Sequence, residues 1–162
     1  MALPLKVGTL LYFYDRSGRV LLMRRTREPN KGLWSPPGGK VHISEGESPF
    51  AAALREAGEE TGVYLKINQL KLVGFISEQA YEQSAHWHLF LFKVTAHLSH
   101  LPPAHEEGEF QFFRTDEILG LDIPDTDRHF IWPTLIRNEG RFFSAHCRCQ
   151  PDGSNDWTLE QS

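Results

Sequence analysis

The sequence has few of the features that mark secreted, membrane-spanning or disulfide-rich proteins. It contains two cysteines in 162 residues, Cys147 and Cys149, and this scarcity argues against a disulfide framework and for a reducing compartment. No apolar run approaches the roughly 20 residues that a membrane-spanning helix needs. The first residues lack a basic segment, and Lys6 interrupts their apolar stretch, so they predict a β-strand and not a secretory signal. We therefore expect a cytoplasmic protein with no membrane partner.

An excess of positive charge is also missing. The chain carries 17 Lys and Arg against 21 Asp and Glu, a formal net charge of −4, which excludes a generally basic nucleic-acid-binding domain. The charge is unevenly spread, because residues 1–40 carry eight basic and two acidic side chains and the remainder is strongly acidic. One interpretation of this distribution is a solvated acidic surface. The other is a basic surface beside a cluster of carboxylates, which would suit a ligand made of a metal ion and a polyphosphate.

The length of 162 residues predicts a single domain over residues 1–162. The hydrophobic content of 40% and the charged content of 23% are typical of a globular protein. Hydrophobic periodicity and turn residues predict strands over 5–14, 19–24, 63–77, 87–95, 110–114, 141–149 and 157–160, and helices over 48–61 and 127–137. Apolar side chains on both faces of 87–95 indicate a central strand covered on both sides. The order of these segments predicts an α+β fold with helices packed on the sheet.

The first predicted helix carries an unusual set of acids. Ser48 is suited to cap it, Pro49 to occupy its first position and Gly62 to end it. Glu56, Glu59 and Glu60 are spaced as i, i+3 and i+4, which would bring their carboxylates to one face. Like charges at this spacing repel, and three oxygen donors on one element suit a hard divalent cation such as Mg²⁺. The alternative is an exposed, glutamate-rich helix.

The residues around this helix resemble the sequence signature of the Nudix family. Glu47, seven further residues and the run 55–63 match the second half of the pattern G-x5-E-x7-R-E-U-x-E-E-x-G-U, where U is aliphatic. The first half departs, since seven residues separate Gly39 from Glu47 where the pattern has five. We expect the two extra residues to form a bulged surface turn within His42–Glu45 and to leave the site intact. A match at eight spaced positions is far more specific than a lone glycine-rich loop.

The resemblance implies a Nudix fold, which is an α/β/α sandwich around a mixed β-sheet, and a metal-dependent hydrolysis of a nucleoside diphosphate linked to another moiety. It implies Mg²⁺, with Mn²⁺ as a substitute, as the cofactor and a nucleotide as the partner, with no nucleic-acid polymer. The resemblance implies that Glu56, Glu59 and Glu60 are metal ligands and that one of them also acts as a base. The Gly38 carbonyl and Glu107, as a distal ligand, are implied to complete the metal site. Glu47 and Arg55 are implied to be the pair that orients the helix. Glu106 and Glu109 compete with Glu107 for the distal position.

Other segments resemble the MutT-type branch of the family, which includes oxidised-purine nucleoside triphosphatases. The resemblance implies cleavage of a nucleoside triphosphate, such as 8-oxo-dGTP, to a monophosphate and pyrophosphate. The candidate substrate contacts are Arg24 and Lys40 (with Arg25) for the phosphates, and Trp34, Ser35, Asp125 and Asp127 for the base. Asp125 and Asp127 would equally serve as turn and helix-capping residues. A dinucleoside polyphosphate or nucleotide sugar as substrate, and a catalytically silent binding module, remain alternatives, because fold does not fix function.

Overall fold

The computed structural model describes residues 2–162, and its strands join into one nine-stranded mixed sheet. In chain order the strands are Leu5–Asp15 (β1), Val20–Arg25 (β2), Trp34–Ser35 (β3), Gly38–Lys40 (β4), Leu70–Tyr81 (β5), Ala85–Leu98 (β6), Gly108–Phe113 (β7), Phe143–Cys149 (β8) and Asn155–Gln161 (β9). The main path runs β3-β2-β1-β6-β5-β8-β9, while β4 pairs with β1 and β7 pairs with β2. The β1–β6 and β5–β8 pairs are parallel and the other pairs are antiparallel.

Helical layers cover both faces of this sheet. The helix Pro49–Glu56 (α1) packs through Ala53 onto a core that contains Leu11 and Phe92. The helix Trp132–Asn138 (α2) packs through Trp132 onto a second core on the opposite face, reached by alternate residues of the same strands. The predicted α+β class and the layered α/β/α arrangement are therefore confirmed.

Strand β6 lies at the centre, between β1 and β5. Its neighbouring residues Leu91 and Phe92 are both fully buried, and they belong to the two different cores. Because successive side chains of a strand point to opposite faces, this pattern requires cover on both sides. The prediction of a doubly covered central strand is confirmed.

Two predicted elements differ from the structure. The strand predicted from residue 63 begins at Leu70, after a short 3-10 turn over Ile67–Gln69. Val63 and Leu65 alternate in sequence because they pack against the α1-side core without joining the sheet. Trp34 and Ser35, which lie outside every predicted strand, form the short strand β3, which pairs with β2.

The helix predicted over 48–61 begins as expected but changes character near its end. The Ser48 hydroxyl accepts a hydrogen bond from the Ala51 N–H at 3.1 Å, and α1 ends at Glu56. A π-helical turn, Ala57–Thr61, follows and ends at Gly62 in the left-handed conformation. Within residues 2–162, no helix has both the length and the apolar character that crossing a bilayer requires.

Candidate active site

The carboxylates of α1 and its π turn differ in exposure. Glu60 is 5% exposed, whereas the Glu59 side chain is 60% exposed. Single-turn π-helical segments are frequent at functional sites, and Glu59 and Glu60 lie in one. Glu56 and Glu59 both contact the Arg55 guanidinium, so they lie side by side as their spacing predicts, while Glu60 is buried.

Strand β4 lies directly against the two inward acids. The Gly38 N–H donates a hydrogen bond to the Glu60 carboxylate at 3.0 Å. A Cβ atom added to Gly39 would overlap the carboxylate of Glu56, and one added to Gly38 would overlap the Thr9 carbonyl group on β1. Glycine is needed at Gly38, because the overlap there is with the β1 backbone, while at Gly39 a side chain would displace the Glu56 carboxylate.

Glu107 completes the acidic group. Its carboxyl lies in hydrogen-bonding contact with that of Glu60, and its charge also acts on Glu56. Burial, followed by the neighbouring acids, raises the pKa of Glu60 to about 8, and burial also raises the pKa of Glu56. Glu106 and Glu109 are exposed, and Glu106 pairs with Arg27. Of the three competing residues, the structure brings Glu107 to the inward acids.

Arg55 links this group to the turn before α1. Its guanidinium donates to Glu47 at 2.8 and 2.9 Å, to Glu56 at 2.8 Å and to Glu59 at 3.2 Å. It also donates to the Lys40 carbonyl at 2.9 Å, which ties α1 to β4. This pairing lowers the pKa of Glu47 to about 2. Glu47 and Arg55 thus make the contact that the sequence predicted for orienting the helix.

The chemistry of the acidic donor set fits a hard divalent cation. Glu56, Glu60 and Glu107 bring oxygen donors close together, and burial followed by the neighbouring acids raises the pKa values of Glu56 and Glu60, an effect that a dication would counteract. Among residues 2–162, no three acidic, histidine or cysteine side chains already converge on a metal-binding arrangement. Arg55 holds one oxygen of Glu56 and one of Glu59, whose side chain is largely exposed.

A pocket of about 210 Å³ lies beside β4. Gly38, Gly39 and Lys40 line it, so this strand contacts the pocket and the acidic group together. The other lining residues come from β1 (Gly8, Thr9 and Leu10), from β5 and β6 (Glu78, Tyr81, Trp87 and Leu89), from 25–36 (Arg25, Pro29, Asn30, Ser35 and Pro36) and from 124–131 (Pro124, Thr126, Asp127 and Ile131).

The structure separates the predicted substrate residues into two groups. Lys40, Ser35 and Asp127 line the pocket. Asp127 is 7% exposed, and burial raises its pKa to about 7. It lies in a π-helical turn, Asp127–Ile131, that leads into α2, and its side chain caps no helix end.

Three predicted substrate residues, Trp34, Arg24 and Asp125, do not line this pocket. The Trp34 ring packs edge-on against Phe113 with 4.9 Å between ring centres, as part of the core. Arg24 is not among the lining residues, and its neighbour Arg25 takes that place. Adjacent residues of a strand face opposite sides of the sheet, which explains why Arg25 lines the pocket and Arg24 does not. Asp125 lines a neighbouring groove instead.

The sequence analysis did not identify Glu78 or Trp87 as pocket residues. The Trp87 ring lies over Gly8, where an added Cβ would be 3.3 Å from it. Glu78 is 5% exposed and follows Ile76 on the same face of β5. A signal for it existed, since a glutamate at a core-facing position of an apolar strand is unusual.

The two extra residues of the signature form a surface turn, as expected. Ile43–Glu45 is a single 3-10 turn whose residues are exposed. The His42 N–H donates to Glu47 at 2.9 Å, so the turn holds the carboxylate that Arg55 binds. None of residues 42–46 lines the pocket.

Comparisons with known proteins agree with this geometry. Residues 4–132 match the NUDIX domain family. The chain is 32% identical over 114 residues to the uncharacterized Nudix hydrolase YvcI of Bacillus subtilis (strain 168), covering 70% of this chain and 69% of that protein. It is 42% identical over 62 residues to the RNA pyrophosphohydrolase of Gluconobacter oxydans (strain 621H), covering 38% of this chain but 35% of that protein.

Solved structures show the same architecture. The MutT protein from Bacillus halodurans has a TM-score of 0.77 and 28% identity, covering 96% of this chain and 97% of that one. The MutT protein from Methanosarcina mazei Go1 has a TM-score of 0.72 at 23% identity, covering 86% and 98%, which shows the fold alone. The signature acids on α1, their contact with β4 and these matches together show that the chain belongs to the Nudix family of hydrolases, which act on nucleoside diphosphates linked to another moiety.

Proposed function

We propose that this Nudix hydrolase cleaves a nucleoside triphosphate to a nucleoside monophosphate and pyrophosphate. The observation that carries the proposal is the position of β4, whose three residues line the pocket while Gly38 and Gly39 contact Glu60 and Glu56. A base held in the pocket would extend its phosphates past β4 toward the acidic group. The dimensions agree, because the pocket is too small for a whole nucleotide but accommodates a base.

The acidic group is the proposed metal site. Glu56, Glu60 and Glu107 would hold Mg²⁺, with Mn²⁺ as a substitute, while Glu59 and the Gly38 carbonyl remain candidate ligands. Bound there, the ion supplies charge neutralisation for the phosphates and a more acidic water. Arg55 keeps the turn rigid by holding Glu47 and the Lys40 carbonyl together. Its role is positioning, since its donors are already engaged by protein groups.

The remaining residues divide between phosphate and base. Lys40 and Arg25 bring positive charge to the pocket wall next to β4 and would contact the phosphates. Ser35 and Asp127 lie with them on the wall and would contact the base. We include an oxidised purine such as 8-oxo-dGTP among the candidate substrates, because Asp127 can accept a hydrogen bond or, when protonated, donate one.

The test is a substrate panel assayed with Mg²⁺ and again with EDTA. The panel contains the four deoxynucleoside triphosphates, 8-oxo-dGTP, ADP-ribose, a dinucleoside polyphosphate and a 5′-triphosphorylated RNA. The last compound is included because one relative is an RNA pyrophosphohydrolase. The proposal expects the highest kcat/KM on a purine triphosphate and no turnover in EDTA. Faster hydrolysis of ADP-ribose, the dinucleotide or the RNA than of every triphosphate would overturn it.

A further inference from the structure

Glu78 is a buried acid for which the fold offers no partner. It lies on β5, where its register places it opposite Trp87 of β6 and Cys147 of β8. Within residues 2–162, no hydrogen bond or ion pair satisfies its carboxyl group, which is 5% exposed and lines the pocket. Burying such a group without a partner costs free energy, and a purely structural position would favour an apolar residue.

A second buried acid, Asp127, faces the same pocket from a different element. Its only side-chain hydrogen bond within residues 2–162 is a long one, 3.5 Å, from the Thr126 hydroxyl. The charge of Asp127 acts on Glu78, and burial raises the pKa of each carboxyl. Two acids from β5 and from the turn before α2 therefore present acceptor oxygens to one small cavity.

Apart from the Ser35 hydroxyl and the Asn30 amide nitrogen, most other polar groups at the pocket are engaged or lie toward β4. The Tyr81 hydroxyl donates to Asn30 at 3.2 Å, and Arg25 donates to the Pro29 carbonyl at 2.7 Å. Apolar side chains, Trp87 among them, form the rest of the surface near Glu78. The two acids are thus the main hydrogen-bonding groups left for a ligand in this part of the pocket.

We propose that Glu78 is a specificity-determining residue, which together with Asp127 selects a nucleobase that presents a ring N–H beside an exocyclic amino group, as guanine does. A carboxylate accepts two parallel N–H hydrogen bonds from such an edge. A base edge with an acceptor at the same place would face carboxylate oxygens and would leave buried polar groups unpaired. The proposal deepens the proposed function and rests on it for the placement of the base.

The test measures binding without turnover, so that it does not depend on hydrolysis. GMP, IMP and N1-methyl-GMP differ in the amino group and in the ring N–H, and their affinities are measured by calorimetry in EDTA. The variants are Glu78→Gln, which keeps the shape of the side chain, and Glu160→Gln as a control, because Glu160 is exposed on β9. A thermal melt of each variant confirms that it is folded.

The unaltered protein and Glu160→Gln are expected to bind GMP about tenfold or more tightly than either analogue. In Glu78→Gln this preference should fall to about threefold or less, and Asp127→Asn should change it in the same direction. An unchanged preference in folded Glu78→Gln, or no measurable binding of any of the three by the unaltered protein, overturns the inference. The unaltered protein could fail to hydrolyse triphosphates while Glu78→Gln still loses the preference for GMP. That result would support the role of Glu78 in base selection and would overturn only the proposed function.

Discussion

Burial raises the pKa of carboxyl groups in two separate parts of the molecule. Near β4 the acids crowd one another around Glu60, and in the pocket Glu78 faces Asp127. In each group a buried carboxyl, Glu60 or Glu78, has no basic partner within residues 2–162, and each needs a different ligand to favour its charged form. Close oxygen donors suit a cation, whereas acids on the walls of an apolar cavity suit N–H donors.

Replacing Glu60 by glutamine should separate activity from stability. The amide oxygen can still accept the Gly38 hydrogen bond, while the repelling charge is gone. Melting temperature in EDTA should hold or rise, and Mg²⁺-dependent pyrophosphate release should fall by orders of magnitude. Glu109→Gln, at an exposed site on β7, is the matched control and should retain activity. Near-normal turnover in Glu60→Gln would remove this residue from the metal site.

Replacing Glu78 by glutamine should change how stability depends on pH. The folded protein holds the Glu78 proton up to a pKa of about 8, while the unfolded chain releases it near 4.5. The unfolded state therefore binds fewer protons between these values, and the free energy of unfolding falls as pH rises through this window. Glutamine does not titrate, so the free energy of unfolding of the variant does not show this decrease.

Urea unfolding at pH 5 and pH 8, in EDTA, measures the effect. The stability of Glu78→Gln relative to the unaltered protein should be greater at pH 8 than at pH 5. The increase should be at most a few kcal/mol, since one pKa unit corresponds to about 1.4 kcal/mol. Asp127 and the acids near β4 titrate in both proteins, so their contribution largely cancels. A stability difference that is the same at both pH values would contradict the burial of a protonated Glu78.

Elements with strong local signals are predicted from the sequence, and those that depend on distant contacts are not. Ser48 caps α1 as its residue type predicts. The π turn after Glu56 could not be predicted, because a regular helix has the same local propensities. The early part of the strand predicted from Val63 was wrong because its alternating apolar residues pack on α1-side core residues without a partner strand.

Removing Ile43 and Ser44 tests the turn between β4 and α1. Both residues are exposed, and neither lines the pocket. Shortening a surface loop by two residues changes its closure entropy little, so kcat and KM on the best triphosphate should stay within about threefold. Ile43→Ser with Ser44→Ala, at full loop length, is the control for the side chains. A sharp rise of KM in the deletion alone would show that loop length positions Glu47 or β4.

At the scale of the whole molecule, one sheet places two chemically different groups beside the same short strand. The spacing within one segment predicted the group of acids, and the resemblance to the Nudix family implied the α/β/α architecture. The pocket was only partly predicted, because it is assembled from β1, β5, β6 and two loops whose contacts no local pattern records. Trp34 and Trp87 illustrate this, since both are apolar strand residues and only Trp87 lines the pocket. We propose that residues 1–162 act as a single domain with one active site.

The central claim is that β4 joins base binding and phosphate cleavage in one site, and product analysis tests it most directly. The preferred purine triphosphate is hydrolysed with Mg²⁺ in ¹⁸O-labelled water, and the products are identified by mass spectrometry. The account predicts nucleoside monophosphate and pyrophosphate in equal amounts, one of them carrying a single ¹⁸O, with no reaction in EDTA. Formation of nucleoside diphosphate and orthophosphate, or equal product formation in EDTA, would contradict it.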